Sequence, residues 1–189
     1  DAAIDEANEA HFLEALSNGF MLQDEANSEG LGARVDYGYK EDNIFGVQVL
    51  NAIDKESIDN VFAAADAKGI SFSKIAISKR LYDAMRKENW AKILCAGYQR
   101  VSVASVSYLQ TPSASLFNEA FKDEYGVDFI IIDRSVLREK DGIATAYKPF
   151  NQNRMIFLPS EQVGALVWSK LAEAEYKSEG VIYTENEYK

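Results

Sequence analysis

The residues able to carry catalysis are few, and their spacing marks out no site. The sequence holds one histidine, His11, and one cysteine, Cys95. Ser-His-Asp and Cys-His chemistry both need a histidine as proton shuttle. His11 falls inside a helical pattern beside Phe12, with no nucleophile near it in sequence, and reads as a packing or surface histidine. Zinc needs several His or Cys ligands, more than this chain holds. Cys95 sits in the apolar run Trp90-Ala91-Lys92-Ile93-Leu94-Cys95-Ala96, where a buried, inert thiol is expected. Standing alone, it can form no intrachain disulfide. No phosphate loop of the form GxxxxGK[ST] occurs, and Gly30-Leu31-Gly32 lacks both the third glycine and the following helix of a dinucleotide fingerprint. The stretch Asp24 to Gly30 is a poor echo of a calcium loop and reads as an acidic turn. No cofactor, metal site or catalytic residue is therefore expected. Paired carboxylates are the remaining enzymatic route. Asp128 and Asp133 flank the apolar run Phe129 to Ile132, and Asp36 lies in a hairpin pattern. With 30 acidic residues in the chain, accidental pairs are common, and no spacing singles one out.

One segment stands apart. Tyr147-Lys148-Pro149-Phe150-Asn151-Gln152-Asn153-Arg154 is a polar, proline-bearing loop between two strand patterns, rimmed by aromatics. Such a loop can be a binding surface. It reads equally well as a loop packed down by Tyr147 and Phe150.

The elements that would position these residues follow from composition and period. The 189 residues are 47% hydrophobic and 12% aromatic, ample to bury a core. The formal charge of −10 repels polyanions from the average surface, which disfavours direct nucleic-acid binding. No stretch reaches the ~18 apolar residues of a membrane span. The chain opens on Asp1 inside a helical pattern and reads as a trimmed or processed fragment.

Ile4, Ala7, Phe12, Ala15 and Leu16 form one helical stripe, with Asn18-Gly19 as its stop. Phe20 to Leu22 begins a strand, Gln23 to Gly30 turns, and Leu31, Ala33, Val35 and Tyr37 alternate as the buried face of a second strand. A short strand fits Phe45 to Leu50. Asp54 caps a helix carrying Ile58, Val61, Phe62 and Ala65 and ending at Lys68-Gly69. Lys74 to Ile77 is a strand, and Ser78 caps a helix with Leu81, Tyr82 and Met85 that 89–96 extends after a break. Val101 to Val106 is a strand. Thr111-Pro112 opens a helix with proline in its first turn, closed by Gly126. Val127 to Ile132 is dense enough to be a strand buried on both faces. Asp141-Gly142 joins the strands 136–140 and 143–147 in a hairpin. Met155 to Leu158, Gly164 to Trp168 and Val181 to Tyr183 are further strands, with 171–177 helical or irregular. Helices and strands mix without a regular βαβ rhythm, which predicts an α+β chain in two lobes.

The order of several segments resembles the major capsid protein of tailed bacteriophages. The first is the helix ending Glu14-Ala15-Leu16-Ser17-Asn18-Gly19 and the hairpin finishing Val35-Asp36-Tyr37-Gly38. The second is the helix Ile58 to Ala65, then Gly69, the strand Lys74-Ile75-Ala76-Ile77 and a short helix Arg80 to Arg86. The third is Phe129-Ile130-Ile131-Ile132-Asp133, Tyr147-Lys148-Pro149-Phe150 and Met155-Ile156-Phe157-Leu158-Pro159, ending in Val163-Gly164-Ala165-Leu166.

The resemblance implies a long spine helix on a thin antiparallel sheet plus a mixed α/β axial domain. It assigns 1–77 and 181–189 to a peripheral domain and 78–180 to the axial domain. The implied function is structural, with no enzymatic activity: copies form pentamers and hexamers that tile an icosahedral phage head enclosing DNA, assembled in the host bacterial cytoplasm from a phage or prophage gene. Scaffolding and portal proteins become possible partners, and DNA is met only indirectly, behind an anionic inner wall. Subunit contacts would fall on Tyr147, Lys148, Pro149, Phe150, Asn151 and Arg154, and on Glu173 and Glu175. The family's N-terminal arm and extended loop would precede Asp1, so this chain alone is expected to be monomeric or weakly associated. Two other readings stand beside it: an α+β adaptor of a phage or bacterial surface system recognising through 147–154, and a carboxylate-dependent hydrolase.

Overall fold

A computed structural model describes residues 2–23, 33–46, 53–101, 110–140 and 143–159. The expected strands at 164–168 and 181–183, the 171–177 segment with Glu173 and Glu175, and the Asp141-Gly142 turn lie outside the described residues, as do 24–30, 47–50 and 102–106 of the expected turn Gln23 to Gly30 and strands Phe45 to Leu50 and Val101 to Val106. Of their described parts, Gln23 belongs to a strand and Phe45, Gly46 and Val101 to none. Among those described, five helices and three small sheets make the chain mixed α+β.

Helix α1 (Ala2–Asn18) leads into a two-stranded antiparallel sheet, β1 (Phe20–Gln23) with β2 (Ala33–Asp36). Gly19 makes this join with φ of +78°. A Cβ there would sit 2.9 Å from the Tyr39 ring, so only glycine fits. Helix α2 (Lys55–Ala67) starts at Asp54, whose carboxylate accepts from Ser57 N–H at 2.6 Å. Strand β3 (Lys74–Ser78) then enters the central sheet, followed by α3 (Lys79–Met85), α4 (Asn89–Tyr98) and α5 (Ala114–Tyr125). Strand β4 (Asp128–Ile132) returns parallel to β3, and β7 (Met155–Leu158) pairs antiparallel on its other side, giving the order β4-β3-β7. Strands β5 (Val136–Lys140) and β6 (Ile143–Tyr147) form a separate two-stranded hairpin.

The β3 side chains alternate between two cores. Ile75 and Ile77 face a cluster built with Ile58, Leu81, Tyr82, Met85, Phe117 and Phe121. Ala76 faces the other way, against Leu13, Phe150 and Leu158. The larger core therefore joins α2 to α3–α5 across the 77/78 position where the resemblance divides the chain. Trp90 reinforces that union by donating its indole N–H to the Ile53 carbonyl at 2.9 Å.

Four sequence expectations are corrected. The buried stripe of α1 is Ala10, Leu13, Glu14 and Ser17, whereas Ala7 and Phe12 face outward. Both sets have helical spacing, and the sheet beneath selects the one that meets Ala76, Phe150 and Leu158. Val35 and Tyr37 are exposed rather than buried, and the β1–β2 pair has no third strand among the described residues. Helix α5 begins at Ala114, with Ser113 as N-cap accepting from Leu116 N–H at 3.3 Å. Pro112 thus precedes the cap, and its carbonyl accepts from Arg86 at 3.0 Å. Finally, β4 pairs with β3 alone among the described residues, and its Ile130 and Ile131 are exposed, so it is not a strand covered on both faces.

The Asp54 cap gives a measurable consequence. The Ser57 N–H holds the Asp54 carboxyl below its ordinary range, and the Lys79 ammonium, with Arg86, does the same for Asp83. Unfolded, both carboxyls titrate near ~4. Below that pH the unfolded chain binds more protons than the folded one. This contribution to stability is therefore whole above pH ~4 and is lost as pH falls through the lower folded values. Asp54→Ala should destabilise by about 1 kcal/mol in urea melts at neutral pH. The deficit against wild type should shrink in acid, and Asp54→Asn should retain most of the cap. An Asp54→Ala deficit that persists unchanged in acid would contradict the charge-assisted cap.

Candidate functional site: two apolar surfaces and a pinned loop

The segment 147–154 resolves into two roles. Pro149 and Phe150 are buried, Phe150 at 1% exposure against Leu13, Ala76 and Leu158, so both anchor the loop inside the chain. Lys148 reaches Asp133 at 2.6 Å, an exposed pair that contributes little stability. Asn151 and Arg154 point at the C-terminal end of α1. Asn151 N–H donates to Ser17 Oγ at 2.9 Å and its side-chain amide to Asn18 Oδ1 at 2.9 Å. Arg154 donates to the carbonyls of Ser17 at 2.9 Å and Asn18 at 3.3 Å. These are the carbonyls a helix end leaves without intrahelical partners, and a cation is favoured there.

Two buried serines complete the attachment. Ser17 Oγ donates to Leu13 O at 2.9 Å while accepting from Asn151. Ser78 Oγ donates to Gln152 O at 3.0 Å and accepts from Leu81 N–H at 3.2 Å, so one hydroxyl both caps α3 and holds the loop. Arg80 also donates to Asn153 Oδ1. Of the loop residues expected at a contact surface, Tyr147, Lys148, Asn151 and Arg154 retain accessible surface, and two of them are engaged with α1.

A larger feature was not legible in the sequence. An open groove of about 1460 Å³ runs between α1, the 37–45 segment, α2 and strand β7. Phe12 and Leu16 line it from α1, Val61 and Ala65 from α2, and Phe157 from the sheet. Ile44 is 59% exposed and Phe12 48%, with Tyr37, Tyr39, Phe45 and Ile70 exposed beside them. Lys68 spans from α2 to Asn43 Oδ1 at 2.7 Å, and Tyr39 O–H donates to Leu16 O at 3.1 Å, so the walls are tied to the fold. His11 lies half-buried on the α1 wall. Among the described residues, Glu9 is the one carboxylate of the lining. The second apolar surface is the β5–β6 hairpin, with Leu137 at 74% and Ile143 at 66% exposure. Among the described residues, none from the hairpin lines the groove.

Several ionisable groups elsewhere are tied into the fold. Asp128 pairs with Lys122 at 2.8 Å and Asp133 with Lys148, so the two acids flanking β4 each face a lysine on the surface. Tyr125 O–H donates to Asp59 at 2.6 Å, linking α5 to α2, and burial together with Asp59 pushes the phenol up to about 12. Burial pushes the Cys95 thiol up to about 11, which keeps it a thiol at neutral pH. Among the described residues, no group of three or more His, Cys, Asp or Glu side chains is placed to hold a metal ion, and no helix is long and apolar enough to cross a membrane.

Comparison with known proteins finds no family model that matches this chain and no curated protein that matches it.

Proposed function

We propose that this chain is a subunit of a self-assembling icosahedral shell, the head of a tailed bacteriophage. The observation that carries the reading is apolar surface displayed at two separate places, the groove wall around Phe12, Ile44 and Phe45 and the hairpin with Leu137 and Ile143. Contiguous exposed apolar surface marks interaction sites. A ring or shell needs heterologous contacts, in which one face of a subunit meets a different face of the next. An isolated two-stranded hairpin is also marginal in water and gains from a covering partner. The order of capsid-like sequence motifs supports the same reading. The net charge of −10 suits a wall that encloses DNA without adsorbing it. Assembly then proceeds by repetition of weak contacts, in the host cytoplasm, with pentamers and hexamers as the units.

Sedimentation velocity over a concentration series tests this. Wild type should be monomeric when dilute and associate reversibly on concentration. Ile44→Asp with Phe45→Asp, or Leu137→Asp with Ile143→Asp, should each abolish association by disabling one face. Mixing the two variants should restore a dimer that cannot grow, because each supplies the face the other lacks. Electron microscopy of concentrated wild type should show rings or curved sheets. A closed two-fold dimer that stops growing, or variants that associate like wild type, would refute the shell reading.

A further inference from the structure

Asn18-Gly19 is the one Asn-Gly step in the sequence, and it stands at the end of α1. Asparagine before glycine is prone to ring closure because glycine leaves the attacking amide unshielded, and asparagine is among the thermolabile residues. In that reaction the Gly19 nitrogen attacks Asn18 Cγ. The new N–Cγ bond forms, the Cγ–Nδ2 bond breaks, and ammonia leaves carrying the proton from the Gly19 amide. Water then opens the succinimide at either carbonyl, giving aspartate or isoaspartate.

Closure requires three things to move: the Asn18 side chain, the Asn18–Gly19 peptide plane and the Gly19 N–H. Each is tied. Asn18 Oδ1 accepts from the Asn151 amide at 2.9 Å. The Asn18 carbonyl accepts from Arg154 at 3.3 Å, and Gly19 N–H donates to Ala15 O at 2.8 Å. The far side of Gly19 is held as well, its carbonyl accepting from Tyr37 N–H at 2.9 Å. Helical backbone at Asn18 also keeps the peptide plane turned away from the angle that brings nitrogen to Cγ.

We propose that Asn18-Gly19 is a latent succinimide site gated by the 151–154 loop, silent while Asn151 and Arg154 grip the end of α1 and reactive once they let go. The product would make release one-way. An aspartate places negative charge at the C-terminal end of α1, where the helix dipole disfavours it. An isoaspartate adds a methylene to the main chain at a join where Gly19 already requires φ of +78°. Loop opening would thereby be recorded covalently in the α1–β1 connection.

The test is peptide mapping by mass spectrometry during incubation in mildly alkaline buffer, with Asn8 and Asn60 as internal references. Arg154→Ala combined with Asn151→Ala removes three side-chain hydrogen bonds to the end of α1 and should speed conversion at Asn18 at least about tenfold over wild type, a factor that one charge-assisted bond lost from the closed state already supplies. Asn18→Gln should remove the signal. Circular dichroism confirms that the variant is folded. If it is not, wild type alone decides: conversion in buffer should be slower than in urea by more than about tenfold, since bonds must open first. Equal rates at Asn18 in wild type and the folded variant, or in buffer and urea, would overturn the gate.

Discussion

Phe117→Ala is expected to destabilise the chain by about 3–5 kcal/mol, a large share of the stability of a domain this size. Phe117 is fully buried on α5, at the centre of an aromatic cluster. Its ring stacks on Phe129 of β4 at 5.8 Å and meets Tyr82 of α3 at 5.8 Å and Trp90 of α4 at 5.9 Å, both edge-on. Three helices and β4 therefore converge on one side chain, and truncation leaves a cavity that none can fill without moving the others. Urea denaturation followed by CD gives the magnitude, and near-UV CD reports the loosened aromatic packing. Phe117→Leu should lose less, since it retains most of the volume. A loss below about 1 kcal/mol for the alanine variant would mean that the cluster collapses around the gap and that Phe117 is not its centre.

Local signals were the legible ones. Asp54, Ser78 and Gly126 were readable as caps because a cap is a contract between a residue and the next turn of its own chain, and all three sit where expected. The β5–β6 hairpin was readable for the same reason, from the turn that Asp141-Gly142 demands. What failed depended on distant partners. The run Phe129 to Ile132 is apolar enough for a central strand, but apolar density does not say how many neighbours a strand has, and β4 has β3 alone among the described residues. Two stripes on α1 satisfy helical spacing, and only the sheet beneath decides that Leu13 is buried and Phe12 is not. Within the candidate site, the 147–154 loop was visible as unusual and Phe150 was already one of the two residues able to pack it down, but what Phe150 packs against was not legible, because Leu13 and Ala76 lie far away in sequence. The groove was invisible for a stronger reason: four segments from Asn8 to Pro159 assemble it, and none is distinctive by itself.

Phe150→Ala should destabilise on a similar scale, about 3–5 kcal/mol, but with a different spatial signature. Phe150 belongs to the smaller core, between α1 and the sheet, where Leu13, Ala76 and Leu158 surround it. Removing the ring loosens the anchor from which Asn151 and Arg154 reach the end of α1, so the hydrogen bonds to Ser17 and Asn18 lose their support. Among the described residues, the larger core around Phe117 shares no buried member with this cluster, and it should persist. Hydrogen exchange should therefore accelerate in residues 10–19 and 151–154 while α5 and β3 keep most of their protection, a partial opening of the kind expected where few apolar contacts hold an element. Since α1 forms one wall of the groove, self-association should weaken in the same variant even though no groove residue was changed. Uniform acceleration across α1 and α5 alike would show that the two clusters unfold as one unit. Association surviving intact with α1 exposed to exchange would show that the groove is not the surface at which copies meet.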